Sequence, residues 1–295
     1  MRTASEMIAR FRAWAEARED VRAVMLTSSR ANPTARVDLF SDYDVVLVLS
    51  DPTPLAGNKH WQADFGRVIA SFRDQFVLSG HPAYTRLTLY EDGVKVDFSL
   101  WPVSLLLSLK ESSTPPDYLD IGYMVLLDKD GLTNGLPAPT YRAYIPTPPS
   151  QETYEALVRE FWWDSTYVAK NLWRDDLYMA KYMLDYFLRF HHVLPLLEWY
   201  AEVQHNWSVR PGVKGRGLKR ILDTDTWAEL EHTYAGAGIE ENWAALFAMA
   251  GLVRRVARSV AESLGLNYPE QADLDVTAYL EKVRSLPTDA KDFPL

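Results

Sequence analysis

Apolar positions follow two spacings along this chain. The first half mixes short continuous or alternating runs with a single helical stretch, and the second half is helical almost throughout. Thr3-Ala4-Ser5-Glu6 has the form of a capping box and opens a helix reaching about Arg18. Residues 21–28 are a short apolar run, read as a buried strand. A polar stretch over 29–41 carries the turn signal Asn32-Pro33, and residues 42–49 form a second strand with five apolar residues in one run, Val45 to Leu49. Two β-branched runs, 84–91 and 94–100, flank Asp92-Gly93, a strong hairpin signal. Trp101-Pro102 breaks that strand, 103–110 suits a short helix, and 123–128 a further strand. The expected fold class is α+β, an N-terminal domain built on one mixed sheet with flanking helices.

Residues 137–150 contain Pro137, Pro139, Pro146, Pro148 and Pro149 and read as a stiff linker. Beyond it helical periodicity predicts helices over 151–174, 175–206 (kinked at Pro195), 224–234, 239–264 and 272–284. The expected organisation is therefore 1–136, a linker over 137–150, and a helical bundle over 151–295. A length of 295 residues agrees with two domains.

Composition narrows the class. Cysteine is absent, which excludes a disulfide framework and a thiolate zinc site. The first twenty residues lack the apolar core of a signal peptide, and no stretch approaches the roughly 18 apolar residues of a membrane span. A soluble cytoplasmic protein without a membrane partner is expected, a monomer or a small homo-oligomer. The formal net charge of −9 opposes a worker on long nucleic acids, which ordinarily carries excess Lys and Arg, and it suits a cationic small substrate as well as plain solubility.

The chemistry centres on Asp42-Tyr43-Asp44. Alternate side chains of a strand share a face, so Asp42 and Asp44 point the same way at the start of an apolar strand. Side by side they repel unless a cation lies between them, and hard oxygen ligands suit Mg²⁺ together with substrate phosphates. An isolated Asp-x-Asp is most often a solvated turn. Here three features argue otherwise: the apolar strand that follows, the hydroxyl-rich turn Thr27-Ser28-Ser29, and a third acid, Asp97, inside Lys95-Val96-Asp97-Phe98-Ser99-Leu100. The turn, with Arg30 after it, is a candidate to cradle phosphate oxygens. Three acids on neighbouring strands match the two-metal arrangement of phosphoryl and nucleotidyl transfer.

The chain resembles the aminoglycoside 6-adenylyltransferases, streptomycin-modifying members of the nucleotidyltransferase superfamily. The resemblance is carried by Met1-Arg2-Thr3 with Glu6-Met7, by Ser29-Arg30 with Asn32-Pro33, and by Asp42-Tyr43-Asp44, Asp97-Phe98 and Leu126-Leu127-Asp128-Lys129-Asp130. In the second half it is carried by Glu160-Phe161-Trp162-Trp163, Ser165 to Lys170, Ala180-Lys181-Tyr182-Met183-Leu184 and Leu197-Glu198-Trp199-Tyr200. It implies a nucleotidyltransferase domain followed by a helical domain, with Mg-ATP and antibiotic bound between them, and transfer of AMP to an aminoglycoside hydroxyl with loss of pyrophosphate. Streptomycin is the first expectation for the acceptor. A lincosamide or protein acceptor, or a non-catalytic nucleotide-binding relative, are the alternatives. The family signature has Gly where this chain has Ser28. If that turn requires φ > 0, Ser28 adds strain of order 1 kcal/mol.

On the expected helix over 151–174, Val158, Phe161, Trp162, Ser165, Ala169 and Leu172 fall on one stripe, which reads as core. Glu160, Trp163, Asp164, Tyr167, Lys170 and Arg174 fall opposite. Two large aromatics on a nominally wet side suggest a binding wall. Glu160 and Asp164 are candidates to hold the cationic groups of the antibiotic beside Trp163 and Tyr167. Lys170 and, on the next helix, Lys181 are candidates for the triphosphate. His191 and His192 point about 100° apart on a helix and are not a metal pair.

Overall fold

Strands β1 (Val21–Thr27) and β2 (Tyr43–Leu49) are apolar along almost their whole length because both of their faces are covered. Val45, Leu47 and Leu49 point into one core with Phe11, Phe65 and Phe98, and Val46 and Val48 into another with Trp101 and Leu105. These strands belong to a computed structural model that describes residues 2–293. The chain divides between Tyr144 and Ile145, a point inside the Pro-rich stretch, into two units.

The first unit is a mixed six-stranded sheet in the order β3 (Val68–Leu78), β4 (His81–Tyr90), β5 (Lys95–Pro102), β2, β1, β6 (Tyr123–Asp128). The β2–β5 pair is parallel and every other neighbouring pair antiparallel. The helix Ala4–Glu16, begun by a complete Thr3–Glu6 capping box, lays Met7 and Phe11 on one face of the sheet. The short helix Val103–Ser108 covers the other face through Leu105 and Leu106. Asp92-Gly93 forms the hairpin turn, with Gly93 at φ 83°. Strand β3 was absent from the sequence expectation. It is an edge strand held by backbone pairing to β4, and its apolar residues Ile69, Phe72 and Val77 are exposed, so it leaves no alternating pattern.

The second unit is helical: Gln151–Trp173, a run over 177–204, Thr224–Glu231, Ile239–Leu264 and Glu270–Ser285. The stripe Val158, Phe161, Trp162, Ser165, Ala169 and Leu172 is buried, as its spacing requires. Ahead of Pro195 the expected helix is not α throughout. The segment Tyr182–Val193 winds as a π-helix, and the Leu194 N–H donates to the carbonyl of Arg189. Proline lacks an N–H and crowds the carbonyl four residues back, and the wider turn accommodates both. Among the described residues no helix is long and apolar enough to cross a membrane.

Candidate active site

The period of two and the strand register gather the acids. Asp44 pairs in register with Asp97 across the parallel β2–β5 pair and with Thr27 across the antiparallel β1–β2 pair. Counting in twos from Val46, Val48 and Trp101, which share one core, puts Asp42, Asp44, Lys95 and Asp97 on that same face. The chain thus sets three carboxylates at one end of the sheet with no need of a loop to bring them together.

The electrostatics follow from that crowding. Burial, and then Asp97 and Asp42, push the Asp44 carboxyl up to about 6. Burial also raises Asp97, against the opposing pull of Lys95. One oxygen of Asp97, Oδ1, is buried with no hydrogen-bond partner among the described residues. The Lys95 ammonium donates to Asp42 Oδ2 at 2.6 Å and to Asp97 Oδ2 at 3.0 Å. Burial lowers the Lys95 pKa, yet the two carboxylates outweigh it and hold the ammonium above its ordinary value. Among the described residues no trio of acids and histidines is already closed around a single point. The donor set nonetheless fits a hard divalent ion: three carboxylates on one face, one carrying an unpaired buried oxygen, and all relieved by added positive charge.

The turn after β1 adopts the backbone that favours glycine. Ser28 has φ 63°, in the left-handed region, and its N–H donates to the Gly122 carbonyl at 3.0 Å. Gly122 itself has φ 135°, and a Cβ there would fall 2.9 Å from the Ala31 carbonyl oxygen, so the approach of these two segments needs glycine. Asn32 Nδ2 fastens the same loop to the Ile121 carbonyl at 2.7 Å. The Ser28 hydroxyl opposes the rise of the Asp44 pKa. Ser29 is half-buried in the same 3₁₀ turn, Ser28–Ala31. Arg30 is a strut: Nε donates to the Asp42 carbonyl at 3.0 Å, Nη2 to the Ser41 carbonyl at 2.7 Å, and its guanidinium lies 3.9 Å over the Tyr43 ring. It fixes where Asp42 leaves the loop.

The expected residues of the helical unit do not all meet. Trp163 and Tyr167 are neighbours, rings 6.3 Å apart, with Trp163 64% exposed and Glu160 exposed on the same helix. The Lys170 ammonium lies 4.1 Å over the Tyr167 ring. Asp164 turns to His192, its Oδ2 2.8 Å from Nε2. Lys181 is engaged internally with Asp185 at 2.6 Å, the Ala235 carbonyl at 2.8 Å and Asn242 Oδ1 at 3.2 Å.

Lys95 is the member of the site that sequence reasoning passed over. Its signal was present: two residues before Asp97 in a strand, it had to share that acid's face.

A family model described as Streptomycin adenylyltransferase matches residues 1–283. The chain is similar to aminoglycoside 6-adenylyltransferase of Bacillus subtilis (strain 168), 31% identical over 290 residues, covering 96% of this chain and 98% of that one. It is also similar to the aminoglycoside 6-adenylyltransferase of Campylobacter jejuni, 26% identical over 254 residues, covering 84% and 85%. Among solved structures, that of an aminoglycoside 6-adenyltransferase from Bacillus subtilis matches with a TM-score of 0.48 at 27% identity, covering 97% of this chain and 100% of that one. A match over nearly the whole chain, on a sheet that brings Asp44 and Asp97 together, makes it an enzyme of the nucleotidyltransferase class and a member of the streptomycin adenylyltransferase family.

Proposed function

We propose that this chain transfers AMP from ATP to a hydroxyl of an aminoglycoside, streptomycin at its 6-position, releasing pyrophosphate and conferring resistance. The observation that carries the reading is the pairing of Asp44 with Asp97 across parallel strands, with Asp42 on the same face, in a chain matched by the family model over 1–283. Asp42, Asp44 and Asp97 would hold the divalent ion, Mg²⁺. Bound there, such an ion supplies the positive charge that neutralises a triphosphate and the charge developing in transfer.

The chain's own residues do the remaining work. The turn Ser28–Ala31 offers hydroxyls and backbone N–H groups to phosphate oxygens. Asp97 takes the acceptor's proton, and the burial that raises its pKa makes its carboxylate a stronger base. The acceptor oxygen bonds to the α-phosphorus as the bond to the bridging oxygen breaks. The electron pair leaves with pyrophosphate and the hydroxyl proton passes to Asp97. On the acceptor side, Glu160 with Trp163 and Tyr167 presents a carboxylate and two rings to guanidinium groups.

The test is a pyrophosphate-release assay with ATP and Mg²⁺ run in parallel on streptomycin, kanamycin, spectinomycin and lincomycin, with products weighed by mass spectrometry. Release with streptomycin and a product heavier by one AMP is expected. Release with lincomycin alone, or with none of the four, overturns the acceptor assignment.

A further inference from the structure

We propose that Lys95 is the built-in counter-ion of the acid cluster, held between Asp42 and Asp97 until a divalent ion displaces it. The inference rests on the nucleotidyl-transfer reading for the ligands of that ion, and concerns a residue to which that reading gives no part. Its basis is geometric. The strand pleat puts Lys95 on the face of Asp97, two residues away, and its ammonium reaches Asp42 at 2.6 Å and Asp97 at 3.0 Å. A lysine is a compact point charge with three donors, so it can bridge two carboxylates much as a small cation does. The other cation beside the cluster, Arg30, gives its donors to the Ser41 and Asp42 carbonyls. The ion pairs to Asp42 and Asp97 among the described residues both come from Lys95.

Two consequences follow from charge. Without a divalent ion, Lys95 relieves the repulsion of three carboxylates that the sheet register forces together. Lys95 holds one oxygen of each acid, Oδ2, so an ion that takes the free Oδ1 of Asp97 still meets the ammonium charge across the same carboxylates unless the lysine swings away. A unit charge retained a few Å from a divalent ion weakens its binding by roughly tenfold or more even in a watery dielectric.

The experiment is a Mn²⁺ titration of the intact protein without nucleotide, following free Mn²⁺ by electron paramagnetic resonance. Lys95→Met removes the charge and keeps the stem, and it should bind Mn²⁺ about tenfold more tightly than the unaltered protein. Lys95→Arg should stay close to the unaltered protein. Binding by Lys95→Met that is unchanged or weaker overturns the proposal while leaving the carboxylate ligands standing. No Mn²⁺ binding by any of the three proteins overturns both the proposal and the metal reading. A second measurement needs no variant: acetylation of Lys95 in the unaltered protein, read by mass spectrometry, should accelerate severalfold when Mg²⁺ is added. An unchanged or slower rate overturns displacement.

Discussion

In the sheet, Thr27, Asp44 and Asp97 stand side by side on three hydrogen-bonded strands. On the helix Gln151–Trp173, by contrast, residues expected on one side meet only in part: Trp163, Tyr167 and Lys170 stay neighbours, Asp164 takes His192, and Glu160 stays exposed. The contrast is one of constraint. A parallel register fixes both the neighbour and the face, so a pattern of two in sequence becomes a distance in space. A helical face fixes only direction. What its side chains meet depends on segments far along the chain, and Lys181 is the clearest case, tied to Asn242 and the Ala235 carbonyl.

The hardest blow to this contrast falls on the sheet. Asp44→Asn and Asp97→Asn should each lower kcat by about a thousandfold or more, comparable to the loss of a transition-state contact, with circular dichroism unchanged. Neutralising one acid also removes repulsion from its neighbours, so the variants should melt no lower than the unaltered protein in the absence of metal. A variant retaining near-normal turnover with Mg²⁺ would remove the cluster from catalysis.

The helix face should answer in a graded way. Glu160→Gln should raise KM for streptomycin about thirtyfold, the lower end of what losing one partner of a charge pair costs, with KM for ATP little changed. Asp164→Asn should act mainly on stability, because its partner is the buried His192. If Asp164→Asn moves KM for streptomycin and Glu160→Gln does not, the two acids have exchanged roles. Lys181→Met should likewise cost stability, roughly 1–2 kcal/mol for its lost hydrogen bonds, and leave KM for ATP within twofold. A large rise in that KM would return Lys181 to the nucleotide.

Both regions contain a carboxylate pushed up by burial and by another acid, and the one outside the proposed site isolates that effect. Burial, then Glu202, raise Glu198 from 4.5 to about 7. A raised carboxyl pKa means that the folded state favours the protonated form. The contribution to stability is therefore complete below about 4.5 and is lost as pH rises through about 7. Glu198→Gln should flatten that decline, gaining roughly 1–2 kcal/mol at pH 8 relative to pH 5, which melting curves at the two pH values would register. A slope unchanged in Glu198→Gln would mean that this carboxyl does not drive it.

Legibility in the sequence followed the same division. The strands 21–28 and 42–49, the hairpin at Asp92-Gly93 and the capping box at Thr3 are local signals whose outcome tertiary packing does not alter. Strand β3 escaped because pairing at an exposed edge is paid in backbone hydrogen bonds, which leave no mark on side-chain pattern. The π-helix before Pro195 escaped because a proline announces a disturbed ladder and not the way a particular bundle absorbs it. Within the site, Asp42, Asp44 and Asp97 were legible as a face and Lys95 was not. A lysine two residues from an acid in a strand carries no motif of its own, although the pleat that aligns Asp97 with Asp44 aligns Lys95 as well.

The smallest effect concerns Ser28, where local and tertiary demands meet in one residue. Its φ of 63° costs a non-glycine residue about 1 kcal/mol, and its hydroxyl helps to keep the Asp44 carboxyl ionised. Ser28→Gly relieves the strain, which the looser unfolded chain offsets only in part, so its net effect on stability should stay within about 1 kcal/mol. Ser28→Ala keeps the strain and loses only the hydroxyl. It should therefore melt lower than Ser28→Gly, since a φ > 0 position favours glycine over alanine. The kinetic pattern separates the two contributions. If the hydroxyl positions Asp44, both variants should lose kcat/KM for ATP by a similar small factor, about threefold, in keeping with one modest hydrogen bond. If strain alone matters, Ser28→Gly should gain where Ser28→Ala is neutral. Equal melting temperatures for the two variants would show that this residue is not held in the left-handed region, and that the turn before the acids is as ordinary as any on the helical unit.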